Sequence, residues 1–383
     1  MIIYAYKIML EKFAVAFSDK NEEEAPREIA LKIKSVFPRA TNSVLVFFTN
    51  HYPSLNILKI IHFTLKPRTL LGMQVPHLIY EDRIIEKGII GCCINDESVT
   101  LKEVHIKSSD PREVESSLRI ASRDNAGGKR FMFSFLPHQF DVYNFLRGVE
   151  LSLGKSFNIF GAGYNIKYAY KSYQIINNNI DEGSVNILIG GAESHPFKIG
   201  GFLPLGKSFT VTKVISKKGV IMEIDNQPAV NIYKNYLEEK FDTFRKNKLF
   251  AMYPLGIKEE SGGYHLINVL NVLEDGSLFC IGDVKEKTQA NIMIMHPPSL
   301  FESLEKILAP LKKYGEGLVL AINPMIRKKI LKDEAEKEIR LIKNILGDKF
   351  KLIGICCDYW LSPNEETREI EITSGNLLLN LWK

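Results

Sequence analysis

Apolar and polar positions follow the same order twice in the first half of the chain. The first pass has an apolar run from Val44 to His51, a helically spaced stretch from Leu55 to Leu65, a basic turn at Lys66 to Arg68, and a second apolar run ending at Gly72. The second pass has an apolar run from Arg130 to His138, a helical stretch from Val142 to Leu153, a turn at Gly154 and Lys155, and an apolar run from Phe157 to Gly161. His51 precedes Gly72 at nearly the spacing at which His138 precedes Gly161. Strand-like segments follow each glycine, from Arg83 to Asn95 and from Tyr173 to Gly191. Self-similarity on this scale predicts two similar units, approximately residues 12–110 and 111–201. A seam between such units is a common place for a small-molecule pocket.

Local patterns predict the elements. Phe13 to Phe17 reads as a strand. Ile29, Ile33 and Val36 fall at helical spacing over Ala25 to Val36, and Pro38 ends that helix. Strands are expected at Ile84 to Ile94 and Thr100 to Ile106. A helix at Arg112 to Ser122 opens the second unit, with Ser109 or Asp110 as its cap. The texture changes at Phe202. Strands are predicted at Lys207 to Val214, Gly219 to Ile224, Leu249 to Met252, Tyr264 to Leu273 and Ser277 to Ile281. Helices are predicted at Val230 to Phe244, Ser299 to Tyr314 and Lys328 to Leu346. In the last, Asp333, Glu334, Glu336, Glu338 and Arg340 read as the solvated face, with Ile330, Leu341 and Ile345 inward. The expected class is α/β of the α+β kind. A duplicated αββα layered sandwich would occupy residues 1–228, and a packed α+β domain residues 229–383. A single mixed sheet covered on both sides is the competing arrangement.

Composition narrows the function. The chain has 383 residues, 45% hydrophobic and 25% charged, with a net charge of +5. That balance does not call for nucleic acid. No stretch is long and apolar enough to span a membrane, and Lys7, Glu11 and Lys12 break the apolar start; residues 1–8 read as a lead-in to the fold. A cytoplasmic location is expected. The five cysteines include two adjacent pairs, Cys92–Cys93 and Cys356–Cys357. Such pairs suit one inward and one outward thiol on a strand, not a disulfide framework or a zinc site. No cofactor or metal motif is present, and GxSxG and HExxH are absent.

Several segments resemble the FIST proteins, which carry an N-terminal and a C-terminal FIST domain in series. These segments are Gly200 to Tyr233 (GGFLPLGKSFTVTKVISKKGVIMEIDNQPAVNIY), Met252 to Ile257 (MYPLGI) and Val269 to Gly282 (VLNVLEDGSLFCIG). The resemblance runs from about Lys12 to Leu361. It implies a sensory protein that binds a small polar metabolite, an amino acid or similar. No fused output domain is expected, and the resemblance then implies a separate signalling protein as partner. The family's "Cys-x-x-Arg" is represented here by Pro324 to Arg327, with proline at the cysteine. Its "GfytyGE" is represented by Gly354 to Trp360, without the glutamate.

Candidate ligand-binding residues follow, each with a plainer alternative. His51 and His138 end matching strands, and either contact ligand or cap those strands. Asn144, with Phe140 and Tyr143, adds an amide beside His138. Gly161 and Gly163 permit close approach and positive φ, for a ligand carboxylate or for a turn. Tyr253 lines a pocket or packs. Arg327 clamps a carboxylate or pairs with Glu338 or another exposed acid. A protein-interaction scaffold that has lost the ligand site is the alternative function. A hydrolase is a further one, and would require a nucleophile and a base within hydrogen-bond reach.

Overall fold

The computed structural model describes residues 12–38, 43–52, 55–96, 98–123, 130–164, 172–176, 179–215, 218–247, 249–260, 262–282, 284–364 and 366–383, with residues 172–176 and 179–182 by backbone alone. The expected lead-in lies outside the described residues. Helices and strands combine in an α+β fold.

The first unit runs β1 (Phe13–Ser18), α1 (Glu24–Val36), β2 (Ser43–Thr49), α2 (Asn56–Leu65), β3 (Thr69–Val75), the hairpin β4 (Leu78–Tyr80) and β5 (Arg83–Ile85), then β6 (Ile89–Ile94). The second runs β7 (Thr100–Glu103), α3 (Pro111–Arg123), β8 (Arg130–Leu136), α4 (Val142–Leu153), β9 (Ile159–Gly163), the hairpin β10 (Ser172–Ile176) and β11 (Asn179–Glu182), then β12 (Val185–Gly190). A third copy of this order begins at β13 (Ser194–Ile199) and is interrupted at once. The interruption contains β14 (Phe202–Ile215), β15 (Val220–Ile224), β16 (Gln227–Pro228), α5 (Asn231–Leu237), α6 (Phe241–Lys246), β17 (Leu255–Lys258), β18 (Tyr264–Val272), β19 (Leu278–Ile281) and β20 (Gln289–Met295). The third unit then resumes with α7 (Pro297–Lys312), β21 (Gly317–Pro324), α8 (Met325–Leu331), α9 (Glu334–Leu346), β22 (Phe350–Cys357), the hairpin β23 (Tyr359–Pro363) and β24 (Ile370–Thr373), and β25 (Leu377–Trp382).

The three units exchange hairpins in a ring. Their sheets have the orders β1-β6-β2-β3-β10-β11, β7-β12-β8-β9-β23-β24 and β13-β25-β21-β22-β4-β5. Each thus joins four strands of its own unit to a hairpin from another. The middle pairs β2–β3, β8–β9 and β21–β22 are parallel, as a helical crossover requires. In each pair a glycine of the second strand lies beside the first: Gly72 by Val46, Gly161 by Ser134, Gly354 by Ala321. A Cβ at Gly161 or Gly354 would collide with the neighbouring carbonyl, and one at Gly72 with the Leu58 side chain.

The inner faces of all three sheets share one apolar core, including Phe47, Met73, Phe133, Phe135, Ile322, Ile355 and Trp382. The outer faces are covered separately: α1 and α2 on the first, α3 and α4 on the second, α7 and α9 on the third. The expected duplicated sandwich therefore gives way to three helix-covered sheets around a common centre. Two sheets would each leave part of their inner faces open; the third closes the core. Both cysteine pairs are buried. Cys92 faces the common core and Cys93 the helix layer. Burial pushes the Cys93 and Cys356 thiols up to about 12, which leaves them unreactive at neutral pH.

The insertion closes as a six-stranded ring, β14-β20-β17-β18-β19-β15, with β15 pairing back to β14. It has its own core, including Val211, Ile221, Phe250, Ile267 and Val269. The boundary expected at 228/229 lies between β16 and α5 of this barrel. Where the elements differ from those expected, the causes are local. Ile84 to Ile94 is not one strand, because β5 leaves for the third sheet while β6 stays in the first. Leu249–Met252 is a 3-10 turn. The charged helix at Val230 to Phe244 breaks where Glu238 takes φ 43°.

Candidate functional site

The third unit, the first unit and the inserted barrel meet around α8. Pro324 ends β21 and leads directly into this helix. Lys332, at φ 51°, breaks the chain before α9 starts. The single helix expected from Lys328 to Leu346 is therefore two helices, and the break rotates the second. Ile339, Ile342 and Leu346 face inward, and Glu338 with them. Glu338 had been expected on the solvated face; it is fully buried because it meets Arg327. The Arg327 Nε donates to Glu338 Oε2 at 3.1 Å, and Nη2 to Oε1 at 2.6 Å. Nη1 donates to the Gly375 carbonyl at 3.1 Å. Both side chains are 0% exposed. Of the two readings of Arg327, a ligand clamp or a pair with Glu338, the contacts are those of the pair, and it braces α8 against α9 and the loop before β25.

The next residue has a different environment. Lys328 Nζ lies 3.2 Å from Glu86 Oε1, in the turn after β5. The same oxygen lies 3.5 Å from His77 Nε2. His77 is fixed by strand pairing: β4 adds to β22, and the Cys356 N–H donates to the His77 carbonyl at 2.9 Å. Burial holds the His77 ring below its usual pKa, with Lys328 and His51 acting in the same sense against Glu86. The hydrogen bond from Lys328 holds the Glu86 carboxyl below its usual value. His77 Nδ1 is buried and has no protein partner. Asn323, beside Cys356 in the parallel pair, is fully buried with both amide atoms unpartnered. The carboxyl ends of β2, β3, β21 and β22 thus converge here, where α/β sheets commonly hold ligands.

The other expected residues are scattered. His51 follows β2, is exposed, and its Nδ1 lies 3.5 Å from Thr49 Oγ1. It joins the His77 group. His138 and Asn144 are exposed at the second unit, where the Asn144 N–H donates to the α4 cap Asp141. Gly161 lies inside β9 and Gly163 ends it, both without the positive φ expected. Their close approaches are to the Ser134 carbonyl and the Tyr359 ring, so strand packing accounts for both. Tyr253 packs on Phe244 at 5.4 Å between ring centres, and its carbonyl accepts from Tyr233. Its loop follows the turn Leu249–Met252, which touches α8.

A second polar group joins the barrel to the third unit. Lys198 Nζ lies 2.7 Å from Glu259 Oε1 and 3.2 Å from Glu371 Oε1. His265 Nδ1 lies 3.1 Å from Glu371 Oε2, and Asn364 donates to both glutamates. Burial alone would lower the Lys198 pKa, but the two carboxylates outweigh it and raise it. Burial alone would raise that of Glu371, but His265, Lys198 and Asn364 outweigh it and lower it. Each charge in the group has an opposite charge beside it, as an internal fastener does, although Glu371 Oε1 accepts no hydrogen bond. The Ser299 hydroxyl meets His296 Nδ1 at 2.8 Å, but this exposed pair caps α7. Among the described residues, no cluster suits a metal ion. No helix among them is long and apolar enough to cross a membrane.

His77, Glu86, Lys328 and Asn323 were not singled out in the sequence. They come from three separate stretches that only the exchanged hairpin brings together.

Comparison with known proteins agrees with the motif series. The FIST N domain matches residues 42–227 and the FIST C domain residues 229–358. FIST domains are linked to small-ligand sensing in signalling. No curated protein matches the chain. A crystal structure of cyanuric acid hydrolase from A. caulinodans aligns over 96% of this chain and 98% of its own, at 7% identity and a TM-score of 0.36. Likeness at that level carries no functional conclusion. With the two domain matches spanning most of its length, the chain belongs to the FIST family.

Proposed function

We propose that this protein senses a small polar metabolite, an amino acid or a compound like it, at the seam between its first and third units beside α8. The observation that carries the reading is the convergence of His51, His77 and Glu86 from one unit with Asn323 and Lys328 from the other. Asn323 adds weight, because a buried amide without partners is costly unless something satisfies it. A ligand across this seam would contact two units at once, and a separate signalling protein would read the change. The test is a thermal-shift screen against amino acids and central metabolites. A ligand at about 100 times its dissociation constant stabilises by roughly 2.7 kcal/mol. The expected result is a selective hit lost in Lys328→Ala and Asn323→Ala. Hits insensitive to both changes would move the site elsewhere.

One observation favours the scaffold reading. Phe63 on α2 is 73% exposed and Leu31 on α1 is 62% exposed, on the outer side of the first unit. Silence in the screen, with a protein captured by the wild type and lost in Phe63→Ser, would favour a scaffold.

A further inference from the structure

We propose that Glu86 occupies its own protein's ligand site, as an internal stand-in for the carboxylate of the small molecule sensed there. This rests on the reading of the seam as the ligand site.

The donors are fixed and the acceptor is loose. Lys328 projects from a helix braced by the buried Arg327–Glu338 pair. His77 is held through its own carbonyl by the Cys356 N–H. Glu86 sits in the short turn between β5 and β6, and its side chain is 74% exposed against 25% for Lys328 and 18% for His77. One carboxylate oxygen serves both donors. An exposed pair of this kind contributes little to folding, so an incoming carboxylate displaces it readily.

The donor set defines the ligand group. With Nδ1 bare, the neutral His77 ring carries its proton on Nε2 and donates it toward Glu86; this tautomer follows from the partners. Lys328 supplies the positive charge. One cation and one neutral donor suit a carboxylate monoanion better than a phosphate dianion, which calls for more charge. Asn323, one strand from His77 on the same side of the sheet, supplies an unpartnered amide for a further polar group of the ligand.

Displacement also supplies a signal. Glu86 belongs to the arm that the first unit gives to the third sheet. Releasing it frees the β5–β6 turn at the surface, while the strand pairing beneath persists.

The experiment uses acetate, a carboxylate monoanion, as the probe, at constant ionic strength with chloride as control, on the full chain. Binding is followed by thermal shift and by NMR of the His77 ring. Glu86→Ala should bind acetate about fivefold more tightly than the wild type, the factor that loss of a weak internal competitor returns. Lys328→Met and Glu86→Ala/Lys328→Met should show no response beyond chloride. Equal binding by the wild type and Glu86→Ala, or a His77 ring unmoved by acetate in both, overturns the proposal. Inorganic phosphate binding to Glu86→Ala where acetate does not would overturn the carboxylate assignment. A metabolite hit that is indifferent to both Glu86→Ala and Lys328→Met would refute the stand-in while leaving sensing itself intact.

Discussion

Arg327 and Lys328 are consecutive cations on one short helix, and their environments are opposite. Arg327 is 0% exposed, with every donor group directed at Glu338 or Gly375. Lys328 is a quarter exposed and meets a carboxylate that is mostly in water. The first pair cannot open without leaving a charge in the interior. The second opens with little loss. A planar guanidinium suits the permanent contact, and a flexible ammonium suits the exchangeable one. Adjacent residues of the same sign thus divide into a brace and a contact, and the division is decided by what the third unit packs against each.

The contrast is broken most severely by removing one half of the brace. Glu338→Ala or Arg327→Met should cost about 3–5 kcal/mol in chemical denaturation, because a buried charge is left alone. Arg327→Met/Glu338→Leu should regain most of that. A single-variant loss under about 1 kcal/mol would show the pair to be no brace. The Lys198 group tests an intermediate case. Glu371→Gln should cost about 2 kcal/mol near neutral pH, as loss of a charged hydrogen-bond partner does. The native Glu371 carboxyl is held below its ordinary value of 4.5, so its contribution is complete above that pH and is lost as pH falls toward the folded value. The variant's acid limb should therefore be flatter than that of the wild type. Lys198, raised above its ordinary value of 10.5, contributes fully below that pH and loses the contribution as pH rises past its folded value.

Asn323→Leu sharpens the comparison in the other direction. It removes a buried amide that has no protein partner and should stabilise the unliganded protein by about 1 kcal/mol, while abolishing the proposed ligand response. A loss of stability in that variant would reveal a partner for the amide. The smallest effect is expected for Lys328→Met, which should change stability by less than about 1 kcal/mol. A larger loss would make Lys328 a second brace.

The first two units were legible because each keeps its periodic pattern unbroken. FAVAF, SVLVFFT and RFMFSFL lie at strands of the expected places, and Asp110 caps α3 as read. The third unit was hidden by its insertion: β13 and α7 are adjacent in the architecture, but the barrel stands between them in sequence. Its signal was nevertheless present, since Leu352, Ile353 and Gly354 repeat the apolar runs that end at Gly72 and Gly161. The site was less legible than the fold. His51 and Arg327 lie near the proposed site, Arg327 as the neighbour of Lys328 in the chain. The group facing Lys328 depends on a hairpin that pairs far from its own unit, and local periodicity carries no record of such a partner. The direction of Glu338 was misread because a single positive-φ lysine changes the phase of a helix.

The ring of exchanged hairpins has a consequence for synthesis. A chain emerging at about 5–20 residues per second exposes the β4–β5 hairpin early, while its partner β22 is made near the end, roughly tens of seconds later. Through that interval the first unit carries an apolar arm with no sheet to join. The first sheet likewise waits for β10 and β11, and the second for β23 and β24. No unit can be completed and released before the next begins. The nascent protein therefore depends on shielding of its early edges until the final strands arrive. Truncations from the C-terminus should harm the first unit as surely as the third.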